Sequence, residues 1–314
     1  MKAAIIAERG ALPIPSEFHE PTAQPGSVLI DVDTAGLGGW DTLGAYRLGV
    51  QYPCVIRGEG VGRRVGVGRR VGDGRRVYFG ERSVAPFGAW AERTIVPAAE
   101  VWEVPDDVDD RTAISLGIAA TGAIVPLQQA NIKSGENVLI LGATGTLGRI
   151  ALQLARRFGA GYIVGASRSS SVLGKLKQQG LADEVVVLGE ADDVAALKAA
   201  SKEGFDVVLD LVCGQPLLNA LKATRWQARI MTIGTGAGRQ INLDMADLLF
   251  RTLSVVGTGQ RSPQDRQAIW QGLLEMNRQK RFEIEYVDYP LSRVAEAWQA
   301  QQKGVHAKIT SAMR

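Results

Sequence analysis

The sequence predicts an α/β protein in which a doubly wound parallel sheet accompanies a β-rich domain. Two textures along the chain support this fold class. Up to about residue 100 the chain is rich in glycine, proline and short β-branched runs, as in short strands joined by turns. From about residue 110 onward, apolar runs alternate with helical patterns of about ten residues, which is typical of βαβ units and of a sheet buried on both faces.

The first texture predicts short strands in the N-terminal part. Each is an apolar or β-branched run bounded by turn residues. These runs are "AAIIA" (3–7), "SVLIDVDTA" (27–35), "RRVYFG" (75–80) and "ERTIVP" (92–97).

The second texture predicts alternating strands and helices from residue 137. The strand "NVLILGA" (137–143) precedes the helix "GRIALQLARRFGA" (148–160), whose apolar residues recur at helical spacing. Further strands are predicted at 162–167, 183–188, 205–212, 228–235 and 253–259, with helices at 171–180, 192–201 and 216–224.

The last fifty residues do not simply continue this alternation. They predict a helix at 263–280, a strand at 283–290, a helix at 292–304 and a closing strand at 307–313. This C-terminal segment could return to the first domain.

Composition excludes several classes of protein. The 314 residues include 36 basic and 33 acidic side chains, so the net charge of +3 is too small for a dedicated nucleic-acid-binding protein. The N-terminus lacks the apolar region of a secretory signal, and no uncharged apolar run approaches the ~20 residues that cross a bilayer. Cys54 and Cys213 form no CxxC pair. We therefore expect a cytoplasmic protein with no membrane partner.

Residues 62–77, "GRRVGVGRRVGDGRRV", are a local basic feature. Successive side chains of a strand face opposite sides, so each Arg-Arg pair places one guanidinium on each face. This favours a solvated hairpin over a basic stripe for nucleic acid, which remains the alternative interpretation.

The stretch that indicates chemistry is "NVLILGATGTLGRIALQLARRFGA", residues 137–160. Gly142, Gly145 and Gly148 follow a predicted strand and open a predicted helix. Glycines allow the backbone to turn tightly and to approach a pyrophosphate, whose charge is stabilised at the helix N-terminus. The strand–turn–helix context makes this a dinucleotide-binding motif.

The end of the next strand indicates which dinucleotide is bound. An acidic residue there would bond the ribose hydroxyls of NAD, whereas this chain has Ser167, Arg168 and Ser169 in "GASRSSS". A guanidinium between hydroxyls suits a 2′-phosphate. The sequence therefore predicts NADPH as the cofactor, with a merely solvated Arg168 as the alternative.

With these motifs, nearly the whole chain resembles the medium-chain dehydrogenase/reductase superfamily, in its zinc-free quinone oxidoreductase-like branch. Besides the glycine turn, the resemblance is carried by "MKAAIIAERG", "PGSVLIDVDTAGLGGWD", "YPCVIRGEGVGRRV", "VGDGRRVYFG", "GAWAERTIVPAAEVWEVPDDV", "AISLGIAATGA" and "YPLSRVAEAWQAQQKGVHAKITSAM". It implies a GroES-like β-rich domain from residues 1–118 and 259–314, and a Rossmann domain from residues 119–258.

The resemblance also implies that no catalytic metal is bound. Where zinc-dependent members carry a Cys, this chain has Gly38, and their Gly-His-Glu is Arg57-Gly58-Glu59. The four-cysteine structural lobe is missing, and His19 and His306 lie in segments unlike ligand positions. Zinc needs three or four convergent ligands.

The resemblance implies transfer of a hydride from the nicotinamide to a quinone or to the activated C=C of an enone or enoyl substrate. The loop "GLGGWDTLGAYRLGVQYP" (36–53) supplies the catalytic candidates. They are Trp40, Asp41, Tyr46 and Tyr52, of which a tyrosine could donate a hydrogen bond or stack on a flat substrate. Asp41 could equally serve as a cap, and each tyrosine as a packing residue.

The same resemblance and the sheet-edge rule for ligand sites indicate the cofactor-binding residues. They are Thr121, Gly142, Ala143, Thr144, Gly145, Thr146, Leu147, Gly148, Ser167, Arg168, Ser169, Val212, Gly234, Thr235, Gly257 and Thr258.

Other functions remain open at this point. One alternative is an enoyl-thioester reductase of the polyketide or fatty-acid type, and another is a non-catalytic NADPH-binding or RNA-binding protein. Relatives commonly pair the edge strands of two Rossmann sheets, so we expect a homodimer through the apolar stretch "RTLSVVGTG" (251–259).

Overall fold

The computed structural model describes residues 1–43, 50–65, 73–189 and 192–313, with the Leu43 side chain left out. These residues form two compact units. The first comprises Met1–Ile118 and Ser262–Arg314, and the second comprises Ala119–Arg261.

The first unit is built mainly from short strands. Its strands are β1 (Lys2–Ile6), β2 (Ile14–Glu17), β3 (Ser27–Leu37), β4 (Cys54–Val55), β5 (Glu59–Val65), β6 (Arg76–Phe79), β7 (Arg93–Pro97), β8 (Val101–Glu103), and, after the second unit, β15 (Tyr286–Asp288) and β16 (Lys308–Ala312).

Two sheets arrange these strands. One has the order β2-β1-β4, and the other has the order β15-β16-β3-β5-β6-β8 with β7 also paired to β3. The closing strand β16 runs antiparallel to β3, with Ile309 opposite Leu37. Strand pairing therefore joins both chain ends in one β-rich unit, the GroES-like arrangement expected from the sequence.

Helices accompany these sheets. They are α1 (Gly39–Leu43), α2 (Asp110–Ser115), α8 (Pro263–Gln279) and α9 (Val294–Lys303), and α3 (Ile118–Ala130) begins at the last residue of the first unit. A buried aromatic cluster packs α8 against the strands: Tyr78 stacks on Trp270 with ring centroids 5.1 Å apart, and Trp102 lies 5.7 Å from Trp270.

The second unit alternates strands and helices. It contains β9 (Asn137–Leu141), α4 (Thr146–Arg157), β10 (Tyr162–Ser167), α5 (Ser170–Gln178), β11 (Glu184–Val187), α6 (Asp193–Ala200), β12 (Phe205–Asp210), α7 (Gly214–Leu221), β13 (Thr224–Thr232) and β14 (Thr252–Val255).

These six strands form one parallel sheet in the order β11-β10-β9-β12-β13-β14. Val138–Leu141 in β9 and Val207–Asp210 in β12 are buried because helices cover both faces. The chain moves outward from β9 in one direction and then returns to its other side at β12. This doubly wound topology confirms the predicted Rossmann fold class.

One predicted strand is much shorter than expected. The pattern indicated 283–290, whereas β15 covers only Tyr286–Asp288, the residues that pair with β16. Among the described residues, no helix combines the length and apolar character needed to span a membrane.

Candidate functional site

The glycine-rich turn connects β9 to α4 at the carboxyl edge of the parallel sheet. Gly142 has φ +81°, a conformation that favours glycine. Its amide and that of Ala143 donate to the Ala166 carbonyl at 2.8 and 3.2 Å, which anchors the turn to β10. The turn therefore begins at a fixed position beside the end of the next strand.

Gly148 and Gly145 serve different purposes in this turn. A Cβ on Gly148 would lie 2.3 Å from the Gly142 carbonyl oxygen, so only glycine permits this approach of helix to strand. Gly145 is the N-cap of α4, and a Cβ there would meet no atom within 4 Å. The helix start at Gly145 is thus open, with the first amides of α4 lacking partners within the helix.

The turn lies where the strand order reverses, between β9 and β12. A Cβ on Gly142 would come 2.9 Å from Val212, the second residue beyond β12. In open α/β sheets this crevice at the carboxyl ends of the strands is where ligands bind. Val212 and Gly142 therefore lie together at the expected position for a ligand.

Asp210 shapes the loop that carries Val212. Its Oδ1 accepts the amides of Val212 and Cys213 at 3.0 and 2.8 Å. Cys213 is held at φ +58°, and burial raises the pKa of the Asp210 carboxyl. The carboxylate thus maintains a turn that a non-glycine residue rarely adopts.

The loops after β13 and β14 lie along the same sheet edge. A Cβ on Gly234 would be 1.7 Å from the Leu211 carbonyl oxygen, so the loops after β12 and β13 touch through glycine. Thr235 and Gly257 are exposed, and Thr258 is half-buried. Their side chains and backbone are free to face a ligand at this edge.

The end of β10 presents a set of hydroxyl groups. Thr144 Oγ1 lies 2.8 Å from Ser167 Oγ, and the Ser169 and Ser171 hydroxyls are 3.5 Å apart. Arg168, which follows Ser167 and precedes Ser169 in the chain, is exposed. Hydroxyls and a guanidinium at one strand end are the groups that bind a phosphate.

Thr121 lies near the start of α4. The neighbouring Gly122 packs so closely on Leu147 that a Cβ would come within 2.9 Å of its Cδ1 atom. Thr121 itself is half-buried on α3. Thr146 and Leu147 open α4 and are also partly exposed.

The catalytic candidates from the 36–53 loop differ in their surroundings. Trp40 is 47% exposed, whereas Asp41 is 5% exposed. Tyr52 is half-buried against the apolar core of the first unit, and burial raises the pKa of its hydroxyl. Tyr46 lies outside the described residues.

Sequence reasoning missed a buried polar cluster in the first unit. Lys308 Nζ contacts Glu59 Oε1 at 2.6 Å, with both side chains 3% exposed. The other Glu59 oxygen accepts the Tyr78 hydroxyl at 2.7 Å and the Ile118 amide at 3.0 Å. The signal in the sequence was a charged residue at the first position of each of two strands, Glu59 in β5 and Lys308 in β16.

The arginines of the 62–77 stretch that the structure describes are engaged by acids of the first unit. Residues 66–72 lie outside the described part. The pairs are Arg63–Asp33 at 3.4 Å, Arg64–Asp73 at 3.5 Å, Arg76–Asp110 at 3.5 Å and Arg75–Glu103. Within the described ranges, no three His, Cys, Asp or Glu side chains come together as a metal site.

Sequence comparison relates the chain to known oxidoreductases. The family described as "Zinc-binding dehydrogenase" matches residues 146–276. The mouse (Mus musculus) quinone oxidoreductase-like protein 2 is 27% identical over 175 residues, which are 55% of this chain and 50% of that protein. The rat (Rattus norvegicus) quinone oxidoreductase is 27% identical over 215 residues, 67% of this chain and 64% of that protein. The matched part thus spans about half the length of the first of these relatives.

Comparison with solved structures finds the same fold over nearly the whole chain. A quinone oxidoreductase from Escherichia coli, whose structure is described as complexed with NADPH, superposes with a TM-score of 0.87 at 17% identity. The superposition covers 99% of this chain and 100% of the other. Together with the glycine turn at the sheet's switch point, these matches show that the chain has the fold of quinone oxidoreductases and is similar in sequence to members of the medium-chain dehydrogenase/reductase superfamily.

Proposed function

We propose that the chain is an NADPH-dependent oxidoreductase that reduces a quinone or an activated C=C bond without zinc. The observation that carries the proposal is the open helix start at Gly145, located at the reversal point of a doubly wound sheet. When bound, NADPH supplies a hydride from its nicotinamide. The relatives named quinone oxidoreductase support this class of acceptor.

The residues of the turn would hold the pyrophosphate. The backbone amides of Thr146, Leu147 and Gly148 open α4, and the positive end of the helix favours an anion. Gly142, Ala143 and Thr144 would form the floor of the turn. Because Gly145 carries no side chain, its backbone offers unobstructed access to the phosphate oxygens.

The hydroxyls at the end of β10 would hold the 2′-phosphate that distinguishes NADPH from NADH. Thr144 and Ser167 already lie within hydrogen-bond distance of each other, so a phosphate oxygen could be shared between them. Arg168 would add a charge-assisted, two-pronged contact, and Ser169 a further hydroxyl. No Asp or Glu stands at this strand end to repel the phosphate.

The strand-end loops would hold the nicotinamide half. We assign Val212, Gly234, Thr235, Gly257 and Thr258 to this role because they follow neighbouring parallel strands at one edge. Thr121 joins them through the contact of its neighbour Gly122 with Leu147. Such loops orient the cofactor and keep water from it.

The 36–53 loop would bind the acceptor. Trp40 has an exposed indole suited to stacking on a flat, electron-poor ring. The Tyr52 hydroxyl carries its proton at neutral pH, as tyrosines with a pKa of about 10 or above do, and would donate it to developing charge on the acceptor oxygen. Tyr46 keeps the same proposed role.

Zinc does not fit the residues present. Gly38 and Gly58 offer no ligand, and Gly58 has φ +49° with its Cβ position 2.6 Å from the Gly36 carbonyl oxygen. Lys308 Nζ lies only 4.0 Å from the Cβ position of Gly38, where it would repel a second cation. A metal needs convergent donors, and here a lysine takes the central position.

We also propose a homodimer through the edge strand β14, which pairs only with β13 among the described strands. Five of the eight large apolar side chains that are most exposed among the described residues surround this edge: Trp226, Met245, Leu249, Phe250 and Val255. Trp226 and Phe250 stack with ring centroids 4.8 Å apart. An unpaired apolar edge of this kind needs a cover, and a second copy supplies one.

The test is NADPH titration followed by an acceptor panel. We expect NADPH to raise the melting temperature, and to be oxidised in the presence of a quinone, an enone or an enoyl thioester. Elemental analysis should find no stoichiometric zinc, and activity should persist with a chelator. Failure to bind NADPH, together with salt-sensitive binding of RNA, would favour the nucleic-acid alternative instead.

A further inference from the structure

The buried cluster in the first unit joins four segments of the chain. The Lys308–Glu59 pair links β16 to β5 across β3, where a Cβ on Gly36 would lie 3.1 Å from Lys308 Cε and 3.4 Å from Glu59 Cγ. Among the ion pairs of the described residues, it is the most deeply buried. Buried charges of this kind persist only when they are paired and hydrogen-bonded.

Asp41 belongs to the same cluster. Its Oδ2 accepts the Gly38 amide at 2.9 Å, and its Oδ1 accepts the Gly58 amide at 3.1 Å. The Cβ position of Gly38 lies 3.9 Å from Asp41 Oδ2 and 4.0 Å from Lys308 Nζ, so carboxylate and ammonium face the same point. One side chain thus ties the start of the 36–53 loop to the segment that follows its end.

The charges around Asp41 determine the pH at which its hydrogen bonds to the Gly38 and Gly58 amides are strongest. Burial raises its pKa to about 6, while the two amides and the Lys308 ammonium oppose that shift and the Glu59 carboxylate adds to it. Glu81 is the remaining acid that faces it, and burial together with Asp41 raises the pKa of Glu81 to about 7. An ionised carboxylate accepts hydrogen bonds more strongly than a neutral one.

We propose that Asp41 is a positioning residue that, supported by the Lys308–Glu59 pair, fixes the backbone at Gly38 and Gly58 and thereby holds Trp40 and Tyr52 in place for the acceptor. This inference rests on the proposed function, which assigns the acceptor to that loop. Asp41 does not itself contact the acceptor, because both of its oxygens are committed to backbone amides and its side chain is buried.

The first test is the acceptor KM of wild type and Asp41→Asn between pH 5 and 8, with 1,4-naphthoquinone as acceptor. Asparagine has one accepting oxygen, so one amide loses its partner. We expect the wild-type KM to fall as the pH rises through about 6, and the variant to keep a pH-independent KM about tenfold higher at neutral pH. The Kd for NADPH should be unchanged. A variant with wild-type KM and pH profile, or one that loses only kcat, would overturn the proposal.

A second test shifts the pKa of Asp41 while keeping its carboxyl group. Glu59→Gln combined with Lys308→Met removes both charges of the pair, so that neither partner remains as a buried ion without the other. The Lys308 ammonium lowers the pKa of Asp41 more than Glu59 raises it, so the pH at which the KM falls should shift upward. A double variant whose pH profile is unshifted would contradict the assigned coupling.

Two variants serve as controls. Glu100→Gln breaks the ion pair with Arg266 in the same unit, where both side chains are 14% exposed, and should leave the acceptor KM and its pH profile unchanged. Glu81→Gln removes the neighbouring acid and should retain the fall near pH 6. If wild type fails to oxidise NADPH with any acceptor of the panel, the proposed function fails. If wild type oxidises NADPH with 1,4-naphthoquinone and Asp41→Asn behaves as wild type, only the positioning role fails.

Discussion

Thr144 Oγ1 lies 2.8 Å from Ser167 Oγ, so the glycine-rich turn and the end of the neighbouring strand meet through two hydroxyls. The contact joins β9 and β10, which pair in register up to Leu141 and Ala166. A phosphate at this point would have Arg168, the next residue along, within the same strand end. This is the position that we propose for the 2′-phosphate at the adenosine end of the coenzyme.

Arg168→Ala should weaken NADPH and leave NADH nearly unaffected. A hydrogen bond to a charged group is worth about 1.5–3 kcal/mol, so we expect a Kd for NADPH raised roughly tenfold to a hundredfold. Fluorescence titration with both coenzymes measures the ratio. Lys175→Ala removes an exposed positive charge from the following helix and serves as the control. Equal losses for both coenzymes would remove the 2′-phosphate assignment.

Gly145→Asp should abolish NADPH binding and leave the fold intact. The Cβ position of Gly145 is open, but the new carboxylate would lie at the helix start proposed for the phosphates. We therefore expect a melting temperature close to that of wild type in thermal unfolding, and no binding in an NADPH titration. Gly272→Asp adds the same charge at an equally open position in α8 and should bind NADPH normally.

Gly148→Ala should show the opposite behaviour and destabilise the fold itself. Its Cβ would lie 2.3 Å from the Gly142 oxygen, so helix and strand must move apart. We expect a loss of about 2 kcal/mol or more in denaturant unfolding. A Gly148→Ala protein as stable as wild type would mean that the close helix–strand approach is not required.

Val255→Asp should convert the proposed dimer to a monomer. Val255 is 84% exposed at the end of β14, and pairing of two such strands about a two-fold axis would bring the carboxylates near each other. Light scattering coupled to size exclusion gives the mass. Leu12→Asp, at a position 41% exposed in the first unit, should leave the mass unchanged. A Val255→Asp dimer would show that the interface lies elsewhere.

The free energy of unfolding should depend on pH in a way that reflects the raised pKa of Asp41. Its pKa is raised from 3.8 to about 6, so this residue's stabilising contribution is complete below pH 4 and is lost as the pH rises through about 6. Each pKa unit corresponds to about 1.4 kcal/mol, which gives about 3 kcal/mol for the full span. The difference in unfolding free energy between wild type and Asp41→Asn, followed from pH 4 to 7, isolates it. A constant difference would show that Asp41 titrates normally.

Local patterns in the sequence were sufficient for the fold class and for the strand–turn–helix around Gly142 and Gly148. Such features depend on residues close in the chain, where spacing and glycine content determine the backbone. The Lys308–Glu59 pair could not be predicted in this way because its members are 249 residues apart. The burial of Asp41 likewise depends on Gly58, which reaches it only after β5 has taken its place beside β3.

The conformation of Gly58 also limits which residues can stand at this position. At φ +49°, with the Gly36 oxygen 2.6 Å from its Cβ position, a side chain there requires β3 to move. A histidine at position 58 would therefore need a compensating shift of the backbone before its imidazole could act as a ligand.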